Sequence, residues 1–247
     1  MGAASTTAEV VIVRREEGWA AVTLNRPERK NAITAELAEA LAAAIEELDD
    51  DESVRAILLA GNGGSFCSGM DLDALRSNAG DAPDMRREPS KPWAAVHAPL
   101  LARRTPVVVA LERFGINAGA ALVFSADLVV AGTDSFVQVY EVAMGVAAPM
   151  CQVWLQLRHP GGMSRRMVLL GERVPAAELL AAGMVTEVVE PAEVLARATA
   201  MCARLASHPA AGLVAVQSTT AWLEHRPADR PGAAAMLSEL LAASHPA

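Results

Sequence analysis

The apolar positions of the chain first cluster in short runs and then fall into helical spacing. Residues 10–13 and 20–24 are runs rich in β-branched residues, separated by Glu17-Gly18, and they predict a hairpin. Asn25-Arg26-Pro27 breaks the second strand. Thr34 is a suitable N-cap for a helix in which Leu37, Leu41, Ala44, Ile45 and Leu48 recur on one face. Acidic residues crowd the C-terminal end of that helix, where its dipole disfavours them. Residues 53–61 predict a buried strand, and GNGGSFCSGMDLDALR a glycine-rich turn running into a short helix from about Met70.

A polar stretch with several Pro, Gly and Asp predicts a surface loop over residues 77–92. A helix over 93–104, a strand over 106–112, an apolar helix over 117–126 and a strand over 127–132 follow. An extended segment, 135–140, leads to Glu141. Helices are expected over 163–170, with Arg165 and Arg166 on the polar face, and over 176–182, ended by Gly183. The last strand falls over 184–190. From Ala192 onward the pattern is helical, punctuated by Pro209, Pro227 and Pro231, with a final helix over 233–244. Hairpin-plus-helix units therefore fill residues 1–190 and a helical region occupies 191–247, in an α/β chain. This alternation alone also fits a doubly wound sheet. No GxGxxG follows a strand and no GxxxxGK[ST] is present, which argues against a nucleotide-binding version of it.

Composition narrows the partners. The chain has 247 residues, 52% of them hydrophobic and only 4% aromatic, so Ala, Val and Leu must fill the core. A net charge of −8 without a long basic run argues against a nucleic-acid surface. The apolar stretches at 106–111 and 118–124 are too short to span a bilayer, so no membrane partner is expected. No secretory signal pattern opens the sequence. The three cysteines, Cys67, Cys151 and Cys202, cannot pair fully, and a reducing, cytoplasmic compartment is expected. The histidines, His97 among them, show no HxxxH or HExxH spacing, so no metal site is expected.

Two junctions carry candidate chemistry. In GNGGSFCSGMDL the glycines let the backbone turn sharply and expose its amides. In ERFGINAGAALVF a strand ends and a helix starts near Ala118. Amides from two such segments can converge on one oxygen and form an oxyanion hole. Either junction alone reads more simply as a capped turn.

Together with LNRPERKNAIT and GERVPAAELLAAGMVTEVVE, these segments resemble, in order and over about residues 8–210, the enoyl-CoA hydratase/isomerase (crotonase) superfamily. The resemblance implies a spiral of ββα units, with the C-terminal helices serving trimerisation, and a homotrimer or hexamer. It implies an acyl thioester substrate, coenzyme A or phosphopantetheine being part of the substrate and no separate cofactor being needed. Carried over by position, the Met70 and Ala118 amides form the oxyanion hole. Gly69, Gly119, Asp71, Leu72 and Asp73 lie beside the pantetheine and thioester. Arg26, Lys30 and Arg29 either meet the CoA phosphates or are simply solvated.

Departures from the family pattern matter as much. Its hydratases carry two catalytic glutamates; the first falls here on Ala121, the second on Glu141. One carboxylate suits double-bond isomerisation, and also a dehydration or hydration in which the same group serves twice. A non-catalytic thioester-binding protein on the same fold is the alternative that the loss at Ala121 suggests. FCSGMDL and INAGAALVFSADLVV are similar to dehydratases of polyketide β-branching cassettes, whose substrates ride on an acyl carrier protein. The stretch 145–162 replaces the family's glycine-rich turn and implies an unusual acyl pocket, to which Met150 and Trp154 could contribute. Cys67 reads as a structural thiol, and Tyr140 as a packing residue beside Glu141.

Overall fold

The computed structural model describes residues 9–77 and 91–224. The surface loop expected over 77–92, apart from its ends, and the helix expected over 233–244 lie outside the described residues.

The N-terminal hairpin pairs β1 (Val11–Glu16) with β2 (Trp19–Leu24), turning at Gly18 with a φ of 78°. Beyond it the sheet is parallel: β2 is followed by β3 (Ile57–Gly61), β4 (Val107–Leu111), β6 (Leu128–Gly132) and β9 (Glu187–Val189). Every residue of β3 and β4 is buried, because both sheet faces are covered. Ile57, Leu59, Val107 and Val109 face the main core with α1 (Ala35–Asp50) and α4 (Ala118–Ser125). Leu58, Ala60, Val108 and Ala110 face the other way and meet Val194, Ala198 and Cys202 of α8 (Val194–Ala206). The first helix of the C-terminal region thus belongs to the packing of the sheet. In α9 (Ala210–Glu224), by contrast, none of residues 210–221 is buried.

A second, smaller sheet holds β5 (Phe114–Ile116), β7 (Phe136–Gln138) and β8 (Arg173–Pro175). It is formed by repetition. In β4–β5–α4 the first strand joins the large sheet, the second joins the small one, and a helix returns. In β6–β7 the same occurs, followed by a short 3-10 turn (Glu141–Met144) and α5 (Pro149–Arg158). After β3 the second strand shrinks to a single bridge, Cys67 to Gly115, before α2 (Leu72–Ser77). The result is the spiral of ββα units expected from the sequence.

The acids at the end of α1 are held by specific partners. Asp49 accepts hydrogen bonds from the backbone amides of Arg104 and Thr105 (2.9 and 2.8 Å), tying α1 to the link between α3 (Lys91–Ala102) and β4. Arg15 of the hairpin joins Glu47 and Asp51. At the other end Thr34 accepts from the Leu37 amide, as its position predicts. The sequence assigned no element to the region that forms α5; there Pro149 occupies the first turn, where no N–H is needed. α6 (Gly162–Leu170) and α7 (Ala176–Ala181) fall where expected.

Candidate active site

The small sheet brings the chemistry-bearing segments together. Cys67, Gly115 and Val137 lie side by side in parallel register. Three segments therefore leave the sheet in the same direction, from Cys67 toward Met70, from Gly115 toward Ala118 and from Val137 toward Glu141. Alternating hydrogen bonds fix the first two: Cys67 N donates to Phe114 O (3.1 Å) and Ile116 N to Cys67 O (3.0 Å). Glycines allow the close approach. A Cβ on Gly119 would stand 2.5 Å from Cys67 O, and one on Gly69 3.0 Å from Ile116 O. The two glycines thus pack the Met70 and Ala118 segments against each other.

Met70 lies between Gly69, whose carbonyl accepts from Ile33 N (2.8 Å), and Asp71, whose amide donates to Ile33 O (2.9 Å). The Met70 amide points the opposite way and has no partner among the described residues. The helix starts at Leu72, two residues later than expected, because Met70 is held as an isolated bridge and Asp71 caps the helix by accepting from Ala74 N (3.2 Å). Ala118 opens α4, and its N-cap residue, Asn117, makes no side-chain bond to the helix. The first amides of α4 have no acceptor within the helix.

Asn117 has a φ of 50° and a ψ of −109°, a region that L residues avoid and that costs about 1–3 kcal/mol. Several bonds hold it there. Its amide donates to Gln138 O (2.8 Å), its side-chain Oδ1 accepts from Tyr140 N (2.8 Å), and its carbonyl accepts from Ala121 N (3.0 Å) and Cys151 Sγ (3.2 Å). Sequence reading assigned Asn117 no role and took Cys151 only as one of three thiols that cannot pair fully, since a thiol bond to a carbonyl 34 residues away cannot be read from spacing.

Glu141 begins the 3-10 turn after Tyr140. One of its carboxylate oxygens, Oε2, is buried with no hydrogen-bond partner. Burial pushes its pKa up to about 7. Burial also raises the Cys151 thiol well above its ordinary value, and the Glu141 charge adds to this. Ala121 is fully buried within α4, and its amide donates to Asn117 O. The chain therefore offers no carboxylate at that position. The Tyr140 side chain is exposed, and it is the Tyr140 amide that takes part in the site's framework.

Around the entrance, Asp71 is buried and bonded by Arg26 (3.0 Å) and Arg29 (3.1 Å). Burial raises its pKa, but the Ala74 amide and the two guanidinium groups outweigh that and hold it below the usual carboxylate range. Arg26 also donates to Ala32 O, and Arg29 reaches Asp73 (2.7 Å). Arg26 and Asp71 thus brace the glycine-rich turn. Buried Asn31, which sequence reading also passed over, completes that brace by donating to Asn62 O and Ser65 O. Lys30 is exposed and makes no ion pair among the described residues. It lines an open recess of about 310 Å³ with Arg29, Met70, Asp71, Leu72 and Asp73.

α5 braces α4 from behind. Cys151 meets Asn117 O at one end, and Arg158 meets Ala126 O (2.9 Å) and Asp127 (3.0 Å) at the other. Between them the Trp154 indole donates to His97 Nδ1 (2.9 Å). An indole N–H can only donate, so the imidazole carries its proton on Nε2. Burial lowers the His97 pKa to about 4 and keeps it neutral. Cys67 is a buried thiol raised to about 12, in keeping with a structural role. No group of three or more His, Cys, Asp or Glu that could hold a metal occurs among the described residues. No helix among them is long and apolar enough to cross a membrane.

The enoyl-CoA hydratase/isomerase family model matches residues 14–240. A 1,2-epoxyphenylacetyl-CoA isomerase of Escherichia coli is 31% identical over 209 residues, covering 83% of this chain and 79% of its own length. A Rhodobacter capsulatus protein named "probable enoyl-CoA hydratase" is 32% identical over 206 residues, covering 81% and 77%. Among solved structures, the enoyl-CoA hydratase of Mycobacterium smegmatis superposes with a TM-score of 0.79 at 27% identity, over 95% of this chain and 90% of that one. A Pseudomonas aeruginosa protein superposes with a TM-score of 0.84 at 27% identity, over 98% and 100%. With its two strand-to-helix junctions on one side of a ββα spiral, the chain belongs to the enoyl-CoA hydratase/isomerase family of the crotonase superfamily.

Proposed function

We propose that this protein is a one-base proton-transfer enzyme on acyl thioesters, and that it moves a double bond along the acyl chain. The thioester carbonyl accepts hydrogen bonds from the Met70 and Ala118 amides. Glu141 takes a proton from the α-carbon, the enolate oxygen stays on the two amides, and Glu141 returns the proton at the γ-carbon. The observation that carries this reading is the carboxyl of Glu141: it has a partnerless buried oxygen, a pKa near 7, and no second carboxylate at position 121. A group with that pKa is present as acid and base in similar amounts at neutral pH, which suits taking and giving back one proton. The same residues could instead return the proton to a leaving β-hydroxyl, in a dehydration.

In this reading Lys30 meets the phosphates of CoA, and Leu72 and Asp73 flank the pantetheine arm. An acyl carrier protein would present the same arm without the nucleotide. The unburied helix α9 is where another copy of the chain would pack in a trimer.

The test offers 3-hexenoyl-CoA and 3-hydroxyhexanoyl-CoA separately and follows the double bond by NMR. Conversion of the first to 2-hexenoyl-CoA, lost in Glu141→Gln, is the expected result. Conversion of the second alone would replace isomerisation by dehydration. Tight binding of both with no conversion would make the protein a thioester-binding module and refute the proposal.

A further inference from the structure

We infer that Asn117 is a positioning residue that sets the direction of the Ala118 amide and the placement of Glu141 at the same time. This rests on the function proposed above and adds to it a residue that neither touches substrate nor carries charge.

Peptide geometry sets the direction of the Ala118 amide. A trans peptide is planar, and its C=O and N–H point in opposite directions. The peptide joining Asn117 to Ala118 has its carbonyl held by two donors, Ala121 N at 3.0 Å and Cys151 Sγ at 3.2 Å. Both donors lie on the helical side, one in the first turn of α4 and one on α5. With the carbonyl directed there, the Ala118 N–H must point away from those helices. The oxyanion donor is therefore aimed by what holds the carbonyl of the residue before it. The peptide can take this orientation only if Asn117 accepts a φ of 50° and a ψ of −109°.

The Asn117 side chain acts on the Glu141 segment. A glycine would satisfy that backbone conformation with less strain. Asparagine adds an acceptor, and Oδ1 uses it on Tyr140 N at 2.8 Å, one residue before Glu141. The Asn117 amide meanwhile donates to Gln138 O at 2.8 Å, in the strand that leads there. A single residue thus grips the Glu141 segment at two points and the oxyanion peptide at a third. Its side chain does not cap its own helix, although Asn is a favoured capping residue. Its use on Tyr140 instead fixes the spacing between amide and carboxylate, on which transfer of a proton from a bound thioester depends.

The experiment uses the full chain and 3-hexenoyl-CoA, with Asn117→Gly and Asn117→Asp. Glycine keeps the backbone conformation and removes only the acceptor; aspartate keeps an acceptor oxygen in the same place. Asn117→Gly is expected to lose at least 10-fold in kcat, with KM and melting temperature close to wild type. Asn117→Asp is expected to recover most of that loss. Wild-type kcat in the glycine variant overturns the inference, as does a loss of kcat that follows the loss of melting temperature in both variants. Glu141→Gln is run beside them. If Glu141→Gln is inactive while Asn117→Gly is fully active, only the positioning role fails. If Glu141→Gln is fully active, or wild type does not act on the probe, the proposed function fails and this inference with it.

Discussion

Replacing Glu141 by Gln should stabilise the fold at neutral pH while removing its chemistry. In the unfolded chain this carboxyl loses its proton near 4.5, and in the fold it keeps it until about 7. Between those values the folded protein binds more protons than the unfolded one. Stability therefore falls as pH rises through the window and stays level above it. For a fully enclosed group the gap corresponds to about 3 kcal/mol. Glu141 is partly exposed, and solvent screening brings the figure to about 2 kcal/mol. Glutamine has nearly the same shape and no titration, so it escapes this penalty. Thermal melts of both proteins, at one protein concentration and from pH 4.5 to 8.5, read the difference. The variant should gain on wild type as pH rises, by about 4–8 °C between the ends of the range. Any cost of burying the amide is the same at every pH and leaves the slope untouched. A difference that does not change with pH would show that Glu141 is not held protonated by the fold, and would remove the physical basis for its dual use.

Gly119→Ala should cut kcat by 10²-fold or more, because its Cβ would meet the Cys67 carbonyl at 2.5 Å and part the Met70 and Ala118 segments; the steady-state kinetics of Gly162→Ala, whose Cβ meets nothing within 4 Å and whose φ is not positive, give the comparison. Trp154→Phe leaves His97 Nδ1 buried without its donor and should cost about 1–3 kcal/mol in urea unfolding, with no loss if the bond contributes nothing. Lys30→Ala should raise KM several-fold for a CoA thioester, more at low salt, with kcat unchanged and with no effect on a pantetheine thioester; equal effects on both would place Lys30 away from the phosphates.

Much of the fold could be read from the sequence because periodicity and burial agree in it. The buried strands at residues 57–61 and 107–111 are continuous apolar runs, and the α1 face is marked by Leu37, Leu41 and Leu48. α5 escaped because its buried stripe is only Cys151, Trp154 and Leu155, and exposed Val153 between them blurs the helical spacing. The acids at the end of α1 looked unfavourable by the dipole argument alone, and their partners, Arg15 and the Arg104–Thr105 amides, are distant in sequence. The candidate site divides in the same way. Met70, Ala118 and Glu141 were assigned through ordered motifs, and the parallel register of Cys67, Gly115 and Val137 directs their segments to one side. Asn117 and Asn31 were not found, because their roles depend on backbone conformation and on hydrogen bonds to main-chain groups far along the chain. For Arg26 the sequence left open a phosphate contact or plain solvation; its bonds to Asp71 and Ala32 O depend on groups that spacing does not reveal.

The proposed mechanism requires that Glu141 alone moves the α-proton. The measurement is the fate of deuterium in 3-hexenoyl-CoA labelled at C2, followed by NMR with wild type and Glu141→Gln. Wild type should remove one C2 deuterium and place hydrogen or that deuterium at C4, while the variant keeps both labels at least 10²-fold longer. Loss of label from the variant at the wild-type rate would mean that another group is the base, and would contradict the assignment.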